Sequence, residues 1–129
     1  MNPSRVVINL KMDREVVKKS IVTIEVGLNK ENLPVEIKWK TSDAPPSVPM
    51  QDAKAMLISF FDRPTRDTLK MDLWTVDLQV EEMDRLIFHS LRSVTDTYMK
   101  ATNNKEMAEQ MQQFVRYFGE KTGIIPPNS

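Results

Sequence analysis

Several residue types that build reactive sites are scarce in this chain of 129 residues. It has no cysteine, which excludes disulfides, thiolate metal sites and cysteine nucleophiles. Its one histidine, His89, has no second imidazole with which to share a metal ion. Its three glycines, Gly27, Gly119 and Gly123, are too widely spaced to form a phosphate-binding loop. We therefore expect that the protein is not an enzyme and that it has no catalytic residues, no cofactor and no metal centre.

The chain also has no excess of charge and no long apolar run. Eighteen basic residues balance eighteen acidic ones, so no overall field attracts nucleic acid or anionic lipid. The longest apolar stretches are a few residues, far short of the ~20 that cross a bilayer. The start of the chain lacks the pattern of a secretory signal. These features predict a cytoplasmic protein with no nucleic-acid partner and no stable membrane insertion.

The composition is typical of one globular domain with short terminal segments. Residues 1–20 carry a local excess of positive charge and alternate weakly at Val6, Ile8 and Leu10. They are expected to form either a basic arm or an extra edge strand. The domain itself is predicted over residues 21–123, and residues 124–129 form a tail.

Alternation of apolar and polar residues predicts three strands, at about residues 21–28, 35–40 and 69–74. Turn-forming residues between the first two strands indicate a hairpin. Trp39 is in phase with the apolar residues of the second strand and is expected in the core.

Charge discriminates between two registers of this hairpin. If Val26 pairs with Ile37, Glu25 lies opposite Lys38. If Val26 pairs with Val35 instead, two glutamates face each other. A cross-strand pair contributes about 0.2–1 kcal/mol, and opposed like charges are unfavourable. We favour the register that pairs Val26 with Ile37.

Helical spacing predicts three helices. The first begins near Pro49 and ends at Pro64, with an apolar stripe at Ala53, Met56, Leu57, Phe60 and Phe61. The second starts after Asp77 as its N-cap, with a stripe at Val80, Met83, Ile87, Leu91, Val94, Tyr98 and Ala101. The third starts after Asn103 and Asn104 and ends at Gly119 or Gly123.

These elements predict an α+β fold with the order ββαβαα. It has two layers, a small antiparallel sheet of about three strands covered on one face by about three helices. The N-terminal segment is a candidate fourth strand.

Trp74 is the residue that fits this pattern least. It shares strand phase with Lys70 and Asp72, so alternation places it on the polar face. An indole there either packs beneath a neighbouring loop or the first turn of the long helix, or it anchors a partner protein. Asp72 and Asp77 flank the end of the third strand, where paired carboxylates would suit acid–base chemistry. We take Lys70, Asp72, Trp74 and Asp77 as candidate protein-contact residues.

Three blocks of sequence resemble the gliding motility-associated GldC family of the Bacteroidota. They are Glu36-Ile37-Lys38-Trp39, Asp52-Ala53-Lys54-Ala55 and Asp72-Leu73-Trp74-Thr75-Val76-Asp77. The resemblance extends from about Ile21 to Lys121. It implies a cytoplasmic accessory protein linked to gliding motility and its secretion machinery, with no known activity and no cofactor.

Three functional hypotheses follow, from different classes. The leading one is a non-catalytic interaction protein that forms a homo-oligomer through a sheet edge or the polar sheet face. The second is a peptide- or client-binding adaptor with chaperone-like behaviour, which uses the region of Trp74. The third is a carboxylate enzyme, for which Asp72 and Asp77 would share a concave pocket.

Overall fold

The computed structural model describes residues 13–127, which separate into a strand unit and a helix unit. The strand unit is Val16–Leu78, and the helix unit is built from Gln79 onward. The elements are β1 (Val22–Leu28), β2 (Pro34–Thr41), β3 (Gln51–Ala53), β4 (Ala55–Phe61), β5 (Thr68–Trp74), α1 (Val80–Thr102) and α2 (Lys105–Lys121). The α+β class is confirmed, but the described order is βββββαα. The predicted order ββαβαα, with three helices, is wrong.

The strands form two antiparallel sheets in place of the single predicted one. One sheet has the order β1-β2-β3, and the other is the two-stranded ribbon β4–β5. The chain passes from the first sheet to the second at Lys54, whose carbonyl accepts a hydrogen bond of 2.8 Å from the Thr75 backbone N–H. The covering of a sheet face by helices stays a prediction.

The register predicted for the β1–β2 hairpin is confirmed. Val26 lies opposite Ile37, and Glu25 lies opposite Lys38. The Lys38 ammonium is 2.8 Å from the carboxylate of Asp52 on β3. The hydrogen bond that Lys38 donates to Asp52 and the negative charge of Asp52 raise the pKa of Lys38 above its ordinary value. An ion pair thus joins β2 to β3 on the polar face of this sheet, and Glu25 of β1 lies opposite the same lysine.

Trp39 is less buried than its strand phase predicts. Ile37 is 2% exposed, whereas Trp39, on the same face of β2, is 36% exposed. Trp39 lies opposite Gln51, the first residue of the three-residue strand β3. The sheet therefore ends beside the indole, which leaves one flank of the ring open.

The predicted helix between Pro49 and Pro64 is wrong, because this segment forms β3 and β4. Met56, Ile58 and Phe60 also fit a period of two, and the register of the ribbon aligns them with apolar residues of β5. Pro64 interrupts the pattern as expected, but it does so inside a hairpin loop.

Hydrogen bonds to the side chain of Asp62 shape that loop. Its carboxylate accepts from the Thr65 backbone N–H at 3.1 Å and from the Thr65 hydroxyl at 2.7 Å. These bonds hold the pKa of Asp62 below its ordinary value. Arg66 adopts a left-handed conformation with φ of 64°. The loop thus reverses the chain between β4 and β5.

The helix caps differ in part from the predicted ones. Asp77 is not the N-cap of α1, which begins at Val80 after Gln79. The Gln79 backbone N–H donates to Glu82 Oε1 at 2.9 Å, which is one bond of a capping box, and the N-cap therefore lies two residues later than predicted. Asn104 caps α2 by accepting from the Met107 N–H.

The helix unit packs around a close approach of its two helices. Phe88 of α1 and Val115 of α2 are buried, and Gly119 lets the Phe88 ring approach the backbone of α2. Of the stripe predicted on α1, Met83, Ile87, Leu91 and Tyr98 are partly buried, whereas Val80 and Val94 are exposed. The tail folds back onto α2, where the backbone N–H groups of Ile124 and Ile125 both donate to the Gly119 carbonyl.

The predictions for the two ends of the chain concern, in part, residues that lie outside the described range. The alternating Val6, Ile8 and Leu10 lie outside them, as do the last two residues of the tail. Residues 13–20 have no regular secondary structure and are exposed. Neither α1 nor α2, the helices in the described range, combines the length and apolar character needed to cross a membrane.

Candidate functional site

The β4–β5 ribbon carries three of the four candidate contact residues on one face. Lys70, Asp72 and Trp74 alternate along β5 and lie opposite Ser59, Leu57 and Ala55 of β4 respectively. Successive side chains of a strand point to opposite faces, so these residues share a side of the ribbon. We call this side the mixed face.

The mixed face combines an ion pair with an exposed indole. Lys70 Nζ lies 3.3 Å from Asp72 Oδ2 and donates to the Ser59 hydroxyl at 3.1 Å. About half of the Trp74 surface is exposed, so the indole is at most partly covered. An exposed indole beside an ion pair has the composition of a protein contact, in which an aromatic anchor is bordered by polar groups.

The opposite side of the ribbon is entirely apolar, and we call it the apolar face. Three cross-strand pairs form it: Met56–Leu73, Ile58–Met71 and Phe60–Leu69. Phe60, Leu69 and Met71 remain between 54% and 65% exposed. The pairs lie in a row along the strands, so the exposed side chains are neighbours on one strip.

The apolar face is the feature that sequence reasoning missed. The sequence pattern predicts Phe60 in the apolar stripe of a helix and places Leu69 and Met71 on the side of a strand opposite its polar residues. Neither prediction marks an exposed apolar face. The available signal was the alternation of Met56, Ile58 and Phe60 together with the strand-forming character of Ile and Phe.

Asp77 lies apart from the other three candidates. It follows β5 and lines a depression of about 320 Å³ in the strand unit, together with Glu36, Asp52, Lys54 and Thr75. Asp72 does not line this depression and is paired with Lys70 instead. The structure thus brings Lys70, Asp72 and Trp74 together but does not bring Asp72 and Asp77 into one pocket.

The buried Thr75 fixes the geometry around Asp77. Thr75 is 3% exposed, and its hydroxyl lies 2.5 Å from Asp77 Oδ1 and 3.2 Å from the Lys54 carbonyl. The hydrogen bond from this hydroxyl, helped by the positive charge of Lys54, holds the pKa of Asp77 below its ordinary value. Asp77 is therefore ionised at neutral pH and has no proton to donate there.

Among the described residues, no three His, Cys, Asp or Glu side chains are placed so that they could hold a metal ion. His89 is exposed on α1 and contacts the Phe88 ring, with 5.7 Å between ring centroids.

The ribbon and the depression lie within a segment that has recognisable relatives. The family model described as "Gliding motility-associated protein GldC-like" matches residues 34–124, which is more than half of the chain. No significant match is found to a curated protein or to a solved structure. The matched range begins at β2 and includes the whole β4–β5 ribbon, α1 and α2.

Proposed function

The chain belongs to the GldC-like family of gliding motility-associated proteins, and we propose that it is a non-catalytic accessory protein that binds another protein through its β4–β5 ribbon. The contact is made in the cytoplasm, beside the secretion machinery associated with gliding. Family membership supports the link to gliding, and the surface of the ribbon supports protein binding.

The single observation that carries this proposal is the exposure of the apolar face. An isolated two-stranded hairpin is marginally stable in water and needs a covering layer. Phe60, Leu69 and Met71 form a contiguous apolar strip that stays more than half exposed. Contiguous exposed apolar surface is typical of interaction sites, whereas single exposed apolar residues are ordinary.

The mixed face supplies the polar part of the contact. Trp74 offers a large area with few rotatable bonds, and the Lys70–Asp72 pair borders it. Such charges orient a partner more than they increase its affinity. A partner that wraps the ribbon would meet an apolar strip on one side and this indole on the other.

The surroundings of the two candidate carboxylates, Asp72 and Asp77, favour a binding role over acid–base catalysis. A general acid needs a pKa near or above the working pH. The Thr75 hydroxyl lowers the pKa of Asp77, and Asp72 is paired with Lys70 and does not line the depression that contains Asp77. The proposal therefore assigns neither carboxylate to catalysis.

A second candidate function is a client-binding adaptor, and the composition of the apolar face favours it. Two of its six side chains are the thioethers of Met56 and Met71, which adapt to partners of varied shape. Such an adaptor would bind many unfolded apolar segments in place of one folded partner.

The two candidates are tested with one substitution on the apolar face and one matched control. Met71→Glu places a charge on the ribbon, whereas Val94→Glu places it on α1 at nearly equal exposure, 55% and 56% respectively. Pull-down of tagged protein from the native cell should recover a stoichiometric partner with the wild type and Val94→Glu but not with Met71→Glu. Equal recovery with both variants would contradict the proposal.

Aggregation of a chemically denatured model protein separates the adaptor from the specific binder. If the wild type slows aggregation and Met71→Glu does not, the client-binding function is supported. If neither protein affects aggregation while the pull-down succeeds, the accessory contact is the function.

A further inference from the structure

The outer edge of β1 is open within the described strands. β1 is the edge strand of the three-stranded sheet and pairs only with β2. The Ser42 backbone N–H donates to the Ile21 carbonyl at 2.9 Å, so this carbonyl points towards β2. The direction of backbone groups alternates along an antiparallel strand. The N–H and C=O groups of Val22, Ile24 and Val26 therefore point outward.

This edge has few of the features that prevent strands from adding to a sheet. Edge strands are usually blocked by proline, lysine, an irregularity or a covering segment. Val22–Leu28 contains no proline and no lysine, and its one charged residue is Glu25. The single irregularity falls at its end, between Gly27 and Leu28. Within residues 13–127, the outward groups of the first five residues of β1 are thus available to another strand.

We propose that two copies of this chain form a dimer by antiparallel pairing of their β1 strands about a twofold axis at Ile24. In this register Ile24 faces the partner's Ile24, and Val22 faces the partner's Val26. All three residues have outward-pointing backbone groups, so each of these pairs exchanges both of its hydrogen bonds. A twofold contact requires such self-complementarity.

Charge and strand regularity select this axis over its neighbours. An axis at Glu25 sets Glu25 against the partner's Glu25, which is unfavourable for like charges. An axis at Val26 brings the irregularity at Leu28 opposite the partner's Ile24. The axis at Ile24 avoids both and places Thr23 opposite the partner's Glu25, where a hydroxyl can donate to a carboxylate.

The pairing also joins the apolar sides of the two sheets. Val22, Ile24 and Val26 lie on the same side of the sheet as Ile37 and Trp39. In the dimer this side continues across the axis. The dimer is independent of the proposed function, because it uses β1 and leaves the β4–β5 ribbon free.

Cysteine cross-linking tests the register, and the cysteine-free chain gives a clean background. Residues in a hydrogen-bonded pair have Cα atoms about 5.5 Å apart, within the range of a disulfide. Ile24→Cys should therefore form a covalent dimer under mild oxidation. Val22→Cys should not, because the two copies of residue 22 lie about 13 Å apart, four residues along the ladder. The double variant Val22→Cys/Val26→Cys should cross-link. Cross-linking by both single variants, or by none of the three proteins, would overturn the proposal.

Light scattering after size-exclusion chromatography tests the assembly of the unmodified full-length chain. The expected mass is about twice 14.9 kDa at tens of micromolar protein. Ile24→Lys should reduce it to the monomer mass, whereas Val35→Lys, on β2 and away from the proposed contact, should retain the dimer. A monomeric wild type, or dissociation by Val35→Lys alone, would overturn the β1 dimer. Either result leaves the ribbon proposal to its own pull-down test.

Discussion

Gly119 of α2 and Phe88 of α1 lie so close that a Cβ atom at position 119 would fall 2.6 Å from the Phe88 ring carbon Cε1. It would also fall 2.9 Å from Ile125 Cγ1. Alanine in a helix interior is ordinarily about 1 kcal/mol more favourable than glycine. Overpacking a tight contact costs about 1–3 kcal/mol. Since the cost outweighs the gain at such short distances, we expect Gly119→Ala to lower the free energy of unfolding by up to about 2 kcal/mol, measured by thermal or urea unfolding.

A double variant identifies the cause of that loss. Phe88→Leu shortens the buried side chain that the new methyl group meets, so Gly119→Ala should be less harmful in its presence. An increase in stability for Gly119→Ala alone would mean that the two helices are further apart than described.

The second prediction concerns the pKa of Asp77. Thr75→Val keeps the shape of the buried side chain but removes the hydroxyl that donates to Asp77. The pKa of Asp77 should therefore rise towards its ordinary value of 3.8. NMR titration of the side-chain carboxyl carbons measures it. The pKa of Asp62, which Thr65 lowers in the same way, is the internal control and should not change.

The sign of the linked pH dependence follows from this shift. Asp77 has a lower pKa in the folded protein than in the unfolded chain, so its stabilising contribution is present above the unfolded pKa. The contribution is lost as the pH falls through the folded pKa. Thr75→Val should therefore weaken the loss of stability between about pH 5 and pH 2. An unchanged acid-unfolding profile would show that the hydrogen bond contributes nothing to folding.

The strand pattern was predictable where only one face is apolar. Along β1 and β2, Val26 and Ile37 alternate with Glu25 and Lys38, so both the element type and the register follow from the sequence. Along Ala55–Phe61, by contrast, six of the seven residues are apolar. Such a run fits the helix and strand periods equally, and only pairing with β5 decides between them.

The candidate site, too, was only partly predictable from the sequence. The shared face of Lys70, Asp72 and Trp74 follows from alternation alone. The exposure of Phe60 and Met71 does not, because burial depends on what packs against a strand and not on its own pattern. An apolar pattern is ordinarily interpreted as core, so the sequence alone does not distinguish a buried strand face from an apolar contact surface.

The third prediction separates the binding and structural roles of Trp74. Replacing a fully buried tryptophan by alanine lowers the free energy of unfolding by about 3–5 kcal/mol. Trp74 is about half exposed, so Trp74→Ala should cost about 1–2 kcal/mol. The same variant should release the partner recovered by the wild type. A large drop in melting temperature with retained partner binding would assign Trp74 a structural role instead.

The fourth prediction concerns the charges on the three-stranded sheet. Lys38 lies opposite Glu25 on β1, and its ammonium is 2.8 Å from Asp52 on β3. Lys38→Glu should therefore lower the melting temperature more than Glu25→Lys does, because the new carboxylate faces acidic groups on both neighbouring strands.

Exchanging the charges separates the contribution of the Glu25–Lys38 pairing from that of the Lys38–Asp52 ion pair. Glu25→Lys/Lys38→Glu restores opposite charges between β1 and β2 but leaves two carboxylates facing each other between β2 and β3. The double variant should therefore recover only part of the loss seen with Lys38→Glu. Adding Asp52→Lys should recover most of the remainder, and the recovery should shrink at 1 M salt, where exposed charges are screened beyond about 3 Å. Full recovery by the double variant would mean that the close contact with Asp52 does not contribute to stability.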